Sequence, residues 1–388
     1  METIQKQARD YFPYMQSLRR DFHRHPELGF HEYRTAGIIA RELKDLGLEV
    51  STGIAETGVV AVLEGEQPGP VTLMRFDMDA LPVQELTGID FASETPGVMH
   101  ACGHDGHMAV GLTVVKMLNE RRDQIKGKIK FVFQPAEEGL GGAERMIEAG
   151  VLENPRVDTT LSMHLWNEIP VGTIAITPGP LMAGAEIFHI KVHGKGGHGA
   201  LPHTAVDPIL ATAQIINLLQ TIVSRNVSPL EAGVVSVCKI RAGETFNVIP
   251  PSAEFSGTIR TFEPAVRERV LQRFTEVVQG TAQTLGCSAE IDLTRLTPAV
   301  INQKETAEKI QEAAKGLSGL SVQTDFHTMV SEDMAFMMEK VPGCYLMIGS
   351  ANPEKGLNFA HHHPQFNFDE EAMIHAAAAM VTAVLAVS

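Results

Sequence analysis

The sequence predicts an α/β protein: a mostly parallel sheet with helices on both faces, interrupted by an inserted α+β unit of ferredoxin-like order. Three observations carry this. At 388 residues the chain is too long for one ordinary core. Apolar runs of strand type alternate with helix-period patterns through the first 180 or so residues and again near the carboxyl end. Between them, residues 183–297 read in the order β-α-β-β-α-β, which makes a compact unit by itself. The expected domains are therefore 1–182 with 298–388, and 183–297.

Taken in order, "TAGIIARELKDLG" spaces its apolar residues as a helix does and closes on Gly47, a good helix stop. "GVVAVLEG" and "VTLMRFD" are short apolar runs of strand type. "HMAVGLTVVKMLNE" reads as a helix, "KIKFVFQP" as a strand, "AERMIEAG" as a helix and "DTTLSMH" as a strand ending on His164. In the inserted unit the strands are "AEIFHIKVHG", "GVVSVCKI", "AEFSGTIRTF" and "SAEIDLTR". Its helices are "AVDPILATAQIINLLQTIVS" and "VRERVLQRFTEVVQGTAQTL". "KETAEKIQEAAKG", "CYLMIGS" and the terminal apolar stretch from Ala372 then resume the first pattern.

Apolar residues make up 44% and charged residues 20%, an ordinary globular mix. The net charge of −15, from 47 acidic and 32 basic side chains, argues against nucleic acid and anionic membranes as partners. "METIQKQARDYF" has no apolar core of signal-peptide type, and the terminal stretch 372–387 is shorter than the ~18 residues of a membrane span. The four cysteines, Cys102, Cys238, Cys287 and Cys344, form no C-x-x-C pair or disulfide-framework spacing, which suits a reducing, cytoplasmic setting.

In an open α/β sheet, ligands collect beyond the carboxyl ends of the strands. There stand Asp77 and Asp79 of "VTLMRFDMDALP", Glu137 and Glu138 of "KIKFVFQPAEEG", and His164. "MHACGHDGHM", with Cys102 and His104, precedes a helix, and "NFAHHHPQF" follows the last strand. Singly, each has a plain reading: Cys102 as a small buried hydrophobe, the Glu pair as a solvated loop, the histidines as satisfied or surface groups. Jointly they supply thiolate, imidazole and carboxylate donors, the mixture that a pair of Zn²⁺-like ions takes. Glu137, beside a liganding Glu138, would be free to act as a base. Cys102 as a nucleophile is the competing chemistry.

With these motifs assembled, the chain resembles the metal-dependent amidohydrolases of aminoacylase and carboxypeptidase type, peptidase family M20. Within it the likeness is to the branch of hippurate hydrolase, auxin-conjugate hydrolase and N-acetyl-diaminopimelate deacetylase. The resemblance runs from "RHPELGFHEYRTA" through "DMDALPVQE", "HACGHDGHMA", "FQPAEEGLGGA", "MHLWNEIPVGTI", "GKGGHGALPH", "FNVIP" and "SEDMAFM" to "HHHPQFNFDEEA". It implies a dinuclear-metal catalytic domain with a lid and dimerisation domain inserted. It also implies two divalent ions, Zn²⁺ foremost with Mn²⁺, Co²⁺ or Ni²⁺ as alternatives.

Carried over residue by residue, the resemblance makes Cys102, His104, Glu138, His164 and His362 the metal ligands, with Cys102 bridging. His361 and His363 compete for the last place. Glu137 becomes the general base and Asp79 the acid that orients a metal-site residue. His198, Asn247 and Arg260 in the inserted domain hold the reacting carbonyl and the substrate carboxylate, His198 in the partner subunit's site of a homodimer. Phe76 departs from the pattern, standing where the family has a small residue.

The implied reaction is hydrolysis of an N-acyl amino acid, of N-acetyl or N-benzoyl type. Metallocarboxypeptidase or dipeptidase activity is the alternative, and a metal-binding or interaction protein on a retired hydrolase fold is the non-enzymatic one.

Overall fold

A computed structural model describes residues 2–388, which divide into two compact units. One comprises residues 2–181, Ile301–His327 and Asp333–Ser388, and the other Met182–Val300 and Thr328–Glu332.

The first unit is built on an eight-stranded sheet. Its spatial order is Glu49–Ile54, Gly58–Glu64, Lys126–Gln134, Gln67–Asp77, Thr159–Pro170, Gly343–Ala351, Thr173–Ala175 and Ser321–Gln323. The four central strands are parallel; Gly58–Glu64 runs antiparallel to them and pairs with Glu49–Ile54 as a hairpin edge. The central strands are buried along most of their length, so they read as continuous apolar runs rather than alternating ones. The helix His104–Asn119 is buried over nearly all of its surface, and helices Phe12–Arg24 and Glu371–Val387 pack on it. That burial explains the unbroken apolar run at the carboxyl end. Among the described residues, no helix is long and apolar enough to cross a membrane.

Phe76 fits because a glycine faces it. A Cβ on Gly111 of the buried helix would lie 2.8 Å from the Phe76 ring, which packs 5.6 Å from that of Phe133.

Two expectations need correction. His164 lies within its strand rather than at its end, because the strand continues to Pro170 along the neighbour Gly343–Ala351. On its other side the pairing stops at Arg75–Ser162, so His164 projects just past the last paired residue there. The amphipathic helices Glu2–Asp10 and Phe12–Arg24 precede the first element expected from the pattern.

The second unit is a four-stranded antiparallel sheet in the order Gly233–Ala242, Ser252–Thr261, Gly184–His193, Ser288–Thr297. Helices Pro208–Thr221 and Pro264–Thr284 share one core with it. The longer helix buries Val266, Val270, Phe274, Val278 and Ala282, a stripe with a residue at every fourth position. The Asp207 side chain caps the shorter one, accepting from the N–H groups of Ile209 and Leu210.

Candidate metal centre and active site

Segments that follow three central strands, the strand Thr159–Pro170 itself, and the amino end of the buried helix bring their polar residues together. Cys102 Sγ lies 3.5 Å from His164 Nε2, and His104 Nε2 lies 4.0 Å from Glu138 Oε1. His362 Nε2 is 3.3 Å from that same Glu138 oxygen. Donor atoms of Cys102, His104 and His164 lie within 4.8 Å of one another, as do those of Cys102, Glu138 and His362, and of His104, Glu137 and Glu138. All five expected ligands and Glu137 thus fall in one cluster.

The histidine run separates by geometry. His361 donates from Nε2 to the Leu165 carbonyl at 2.9 Å and stacks on Trp166, while His363 stacks on Phe359 and accepts the Gln365 N–H. His362 alone of the three joins the cluster, on a backbone held at φ 65° with its N–H on the Ala101 carbonyl. A left-handed conformation at a non-glycine residue costs free energy and recurs at functional sites.

Backbone groups fix the tautomers. His104 Nδ1 donates to the Asp79 carbonyl at 2.9 Å, and His164 Nδ1 to the Leu165 carbonyl at 2.6 Å. Each ring then turns the lone pair of Nε2 toward the cluster. The Asp79 carboxylate accepts the Glu138 N–H at 3.0 Å, and Glu137 Oε1 accepts the Asp333 N–H at 3.4 Å.

A layer that the sequence reading missed lies beneath. Arg75, wholly buried, bonds to Asp77 at 2.6 Å, Asp333 at 2.8 Å and Gln134 at 2.9 Å. Asp77 in turn accepts from His107 Nδ1 at 2.6 Å, and His107 Nε2 accepts the Leu165 N–H. A charged residue inside the apolar run "VTLMRFD" was the available signal for Arg75; nothing local pointed to Asp333.

The electrostatics suit a cation. Burial lifts the Cys102 thiol well above its usual value, and Glu138, Glu137 and Asp77 lift it further. Burial lowers His164, with His107 and His361 adding to it. Burial opposes a charged His104 as well, yet Asp77, Asp79 and Glu138 outweigh it and push that imidazole up to about 10. His104 Nε2 and Glu138 Oε1 are both buried with no hydrogen-bond partner among the described residues. Leaving such atoms unsatisfied costs about 1–3 kcal/mol each. Divalent ions would satisfy both, favour the thiolate and take the imidazoles neutral, so these residues fit a two-metal site.

Comparison with known proteins agrees. The profile described as "Peptidase family M20/M25/M40" matches residues 73–386. The chain belongs to that family. It is 42% identical to the N-acetylcysteine deacetylase of Bacillus subtilis, over 92% of each chain. It is 37% identical to thermostable carboxypeptidase 1 of Saccharolobus solfataricus, over 96% of this chain and 95% of that one. A crystal structure of a dinuclear metal binding peptidase of the M20 family from Bacillus subtilis superposes with a TM-score of 0.87 at 37% identity, covering 97% and 98%. Family membership makes the protein a hydrolase of linear amide or peptide bonds.

The remaining expected site residues lie in the second unit. His198 and Asn247 meet on a small ribbon in which Gly197–His198 pairs with Val248–Ile249. His198 Nδ1 accepts the Ala200 N–H at 3.0 Å, so its Nε2 carries the proton and faces outward as a donor. Arg260, half-buried, donates to Ser331 Oγ at 2.7 Å. It stands near the far end of the strand Ser252–Thr261, eight steps from the ribbon end. At ~3.3 Å per residue that is roughly 26 Å. The structure therefore brings His198 and Asn247 together and keeps Arg260 apart from them.

Proposed function

We propose that the protein hydrolyses the amide bond of N-acyl amino acids with small or aromatic acyl groups, using Glu137 as general base. The observation that carries this is the division of labour in the Glu pair. Glu138 Oε1 is buried among His104, His362 and Cys102, whereas Glu137 lies beside them with its carboxylate steered by the Asp333 N–H.

Cys102, His104, Glu138, His164 and His362 would hold two divalent ions, with Cys102 shared. The thiolate in the donor set favours Zn²⁺, with Mn²⁺, Co²⁺ or Ni²⁺ as alternatives. Such ions supply Lewis-acid polarisation of the amide carbonyl and a lowered pKa for the attacking water. Glu137 takes the proton from that water and delivers it to the leaving nitrogen. Asp79 keeps His104 and the Glu138 backbone in register through the bonds described above. Arg260 suits a free α-carboxylate, since its fork donates two parallel hydrogen bonds. His198 Nε2–H and the Asn247 amide suit an oxyanion.

Arg260 stands roughly 26 Å along its strand from Ser252, the end nearer the His198 ribbon, a span longer than any single N-acyl amino acid. The two ends of the strand therefore serve different substrate molecules, one in each subunit of a homodimer. The free cysteines fit a cytoplasmic enzyme.

The test is release of free amine from N-acetyl and N-benzoyl amino acids and from dipeptides, by metal-loaded protein and by a chelated control. Metal-dependent cleavage of the N-acyl substrates, lost in Glu137→Gln with metal content retained, is the expected result. Wild-type turnover in that variant would refute the base. Cleavage of dipeptides alone would move the assignment to the peptidase reading, which the similarity to a carboxypeptidase favours. Absence of any cleavage with both ions bound would favour a retired site.

A further inference from the structure

The turn that carries Glu137 and Glu138 is held by a residue far from it in sequence. Ala136, immediately before the pair, is wholly buried and sits at φ 54°, a backbone conformation unfavourable for an L-residue. Three groups hold it there. Its N–H donates to Glu32 Oε1 at 2.9 Å, and its carbonyl accepts the Gly142 N–H at 3.1 Å. Gly29 abuts it so closely that a Cβ there would lie 3.0 Å from the Ala136 Cα.

Glu32 is wholly buried, and its other oxygen accepts the Thr57 hydroxyl at 2.6 Å. It forms no ion pair among the described residues. A carboxylate buried against one N–H and one O–H is an expensive arrangement that its own helix does not need. Glu32 stands at the amino end of the helix Tyr33–Asp45 without capping it, because the Glu27 carboxylate takes the first-turn N–H groups of Arg34 and Thr35. The side chain that local rules would spend on the helix is thereby free to reach across 104 positions.

We propose that Glu32 is a positioning residue, fixing through the Ala136 N–H the left-handed turn that sends Glu138 to the metal cluster and leaves Glu137 beside it. This rests on the roles given to Glu137 and Glu138 above. Adjacent residues part in direction only while the turn between strand and helix keeps its dihedrals. Loss of the Glu32 bond leaves a buried N–H unpaired at a strained residue, and the base then drifts relative to its target.

The experiment compares Glu32→Ala, Glu32→Gln and Thr57→Val with Glu137→Gln as control, all metal-loaded. It reads kcat, KM, metal content and peptide-level hydrogen exchange over residues 134–142. Since a misplacement of about 1 Å can cost on the order of 100-fold, Glu32→Ala should lower kcat by tenfold or more, with KM within about twofold and metal content unchanged. Exchange over 134–142 should quicken in the same variant. Glu32→Gln, whose amide oxygen still accepts from Ala136 while its NH₂ faces Thr57, should recover kcat to within about threefold. Thr57→Val, which leaves Glu32 in place and removes one tether, should shift exchange and kcat in the same direction by less, and it decides the matter if Glu32→Ala does not fold.

Unchanged exchange and kcat in Glu32→Ala, or a Glu32→Gln as slow as Glu32→Ala, would overturn the proposal. So would unchanged exchange in Thr57→Val. Loss of activity in Glu137→Gln alongside a normal Glu32→Ala sinks this inference alone, whereas an active Glu137→Gln sinks the reading on which it rests.

Discussion

Replacing Glu32 by Gln changes the pH dependence of stability by an amount the structure fixes. Burial raises the carboxyl from 4.5 to about 7, against the hydrogen bonds from Thr57 and Ala136 that favour the ionised form. With the folded pKa above the unfolded one, the folded chain holds more protons between about pH 4.5 and 7, so this group withdraws stability as pH rises through that window. A shift of about 2.5 units at 1.36 kcal/mol each amounts to ~3 kcal/mol, fully felt above about pH 8. No discount for solvent applies, because the side chain is wholly buried. Glutamine keeps the acceptor for Ala136 and carries no charge, so Glu32→Gln should gain about 2.5 kcal/mol on wild type between pH 5 and pH 8, the rest having been felt below pH 5. At ~2–4 °C per kcal/mol for a large domain, the melting difference between the two proteins should move by roughly 5–10 °C. Scanning calorimetry of both proteins at both pH values, with the same metal loading, measures it. The metal-site groups titrate in both and cancel. A melting difference that stays constant from pH 5 to pH 8 would refute the reasoning, and with it the claim that burial raises the Glu32 carboxyl in the folded protein.

Three further outcomes follow from the same structure. Arg75→Met strips two buried carboxylates of their cation and should cost about 3–5 kcal/mol, read as a lowered thermal midpoint of the first unit; a loss under 1 kcal/mol would show that Asp77 and Asp333 do not depend on it. Gly111→Ala forces a methyl to within 2.8 Å of the Phe76 ring. It should cost about 1–3 kcal/mol, and the double variant Gly111→Ala, Phe76→Val should recover part of that; additive losses would show that the two do not pack as described. Co-expressing His198→Ala and Glu137→Gln chains should restore about a quarter of wild-type activity, because about half of randomly formed dimers are mixed and each of those holds one site without either lesion. Activity no higher than that of the two variants alone would count against sharing across a dimer.

The sequence made the strands legible where burial on both faces leaves unbroken apolar runs, as in "KIKFVFQP" and "CYLMIGS". It was silent on the edge strand Glu49–Ile54, half exposed and polar, whose identity comes from pairing with Gly58–Glu64. The cluster Cys102, His104, Glu137, Glu138 and His164 was legible because unusual residue types recur just beyond apolar runs. Among three adjacent histidines, His362 could not be singled out from composition. The partners of each ring in the fold separate them: Trp166 and the Leu165 carbonyl for His361, Phe359 for His363 and Glu138 for His362. Arg75 with Asp333, and Glu32 with Ala136, escaped for a common reason. Each bond joins residues more than a hundred positions apart, and no local period or spacing records it.

The peptide groups flanking Leu165 organise three imidazoles: its N–H points to His107 Nε2, and its carbonyl receives both His164 and His361. None of this depends on what residue 165 is, provided it is not proline. Leu165 is also a buried core side chain, so alanine scanning would report the lost packing and miss the main-chain contribution. The instrument that can see it is an amide-to-ester exchange. A hydroxy acid in place of Trp166 weakens the acceptor for two rings, and one in place of Leu165 deletes the donor to the third. Part of the specification of this centre is thus written in the main chain, where natural sequence variation leaves no trace of it.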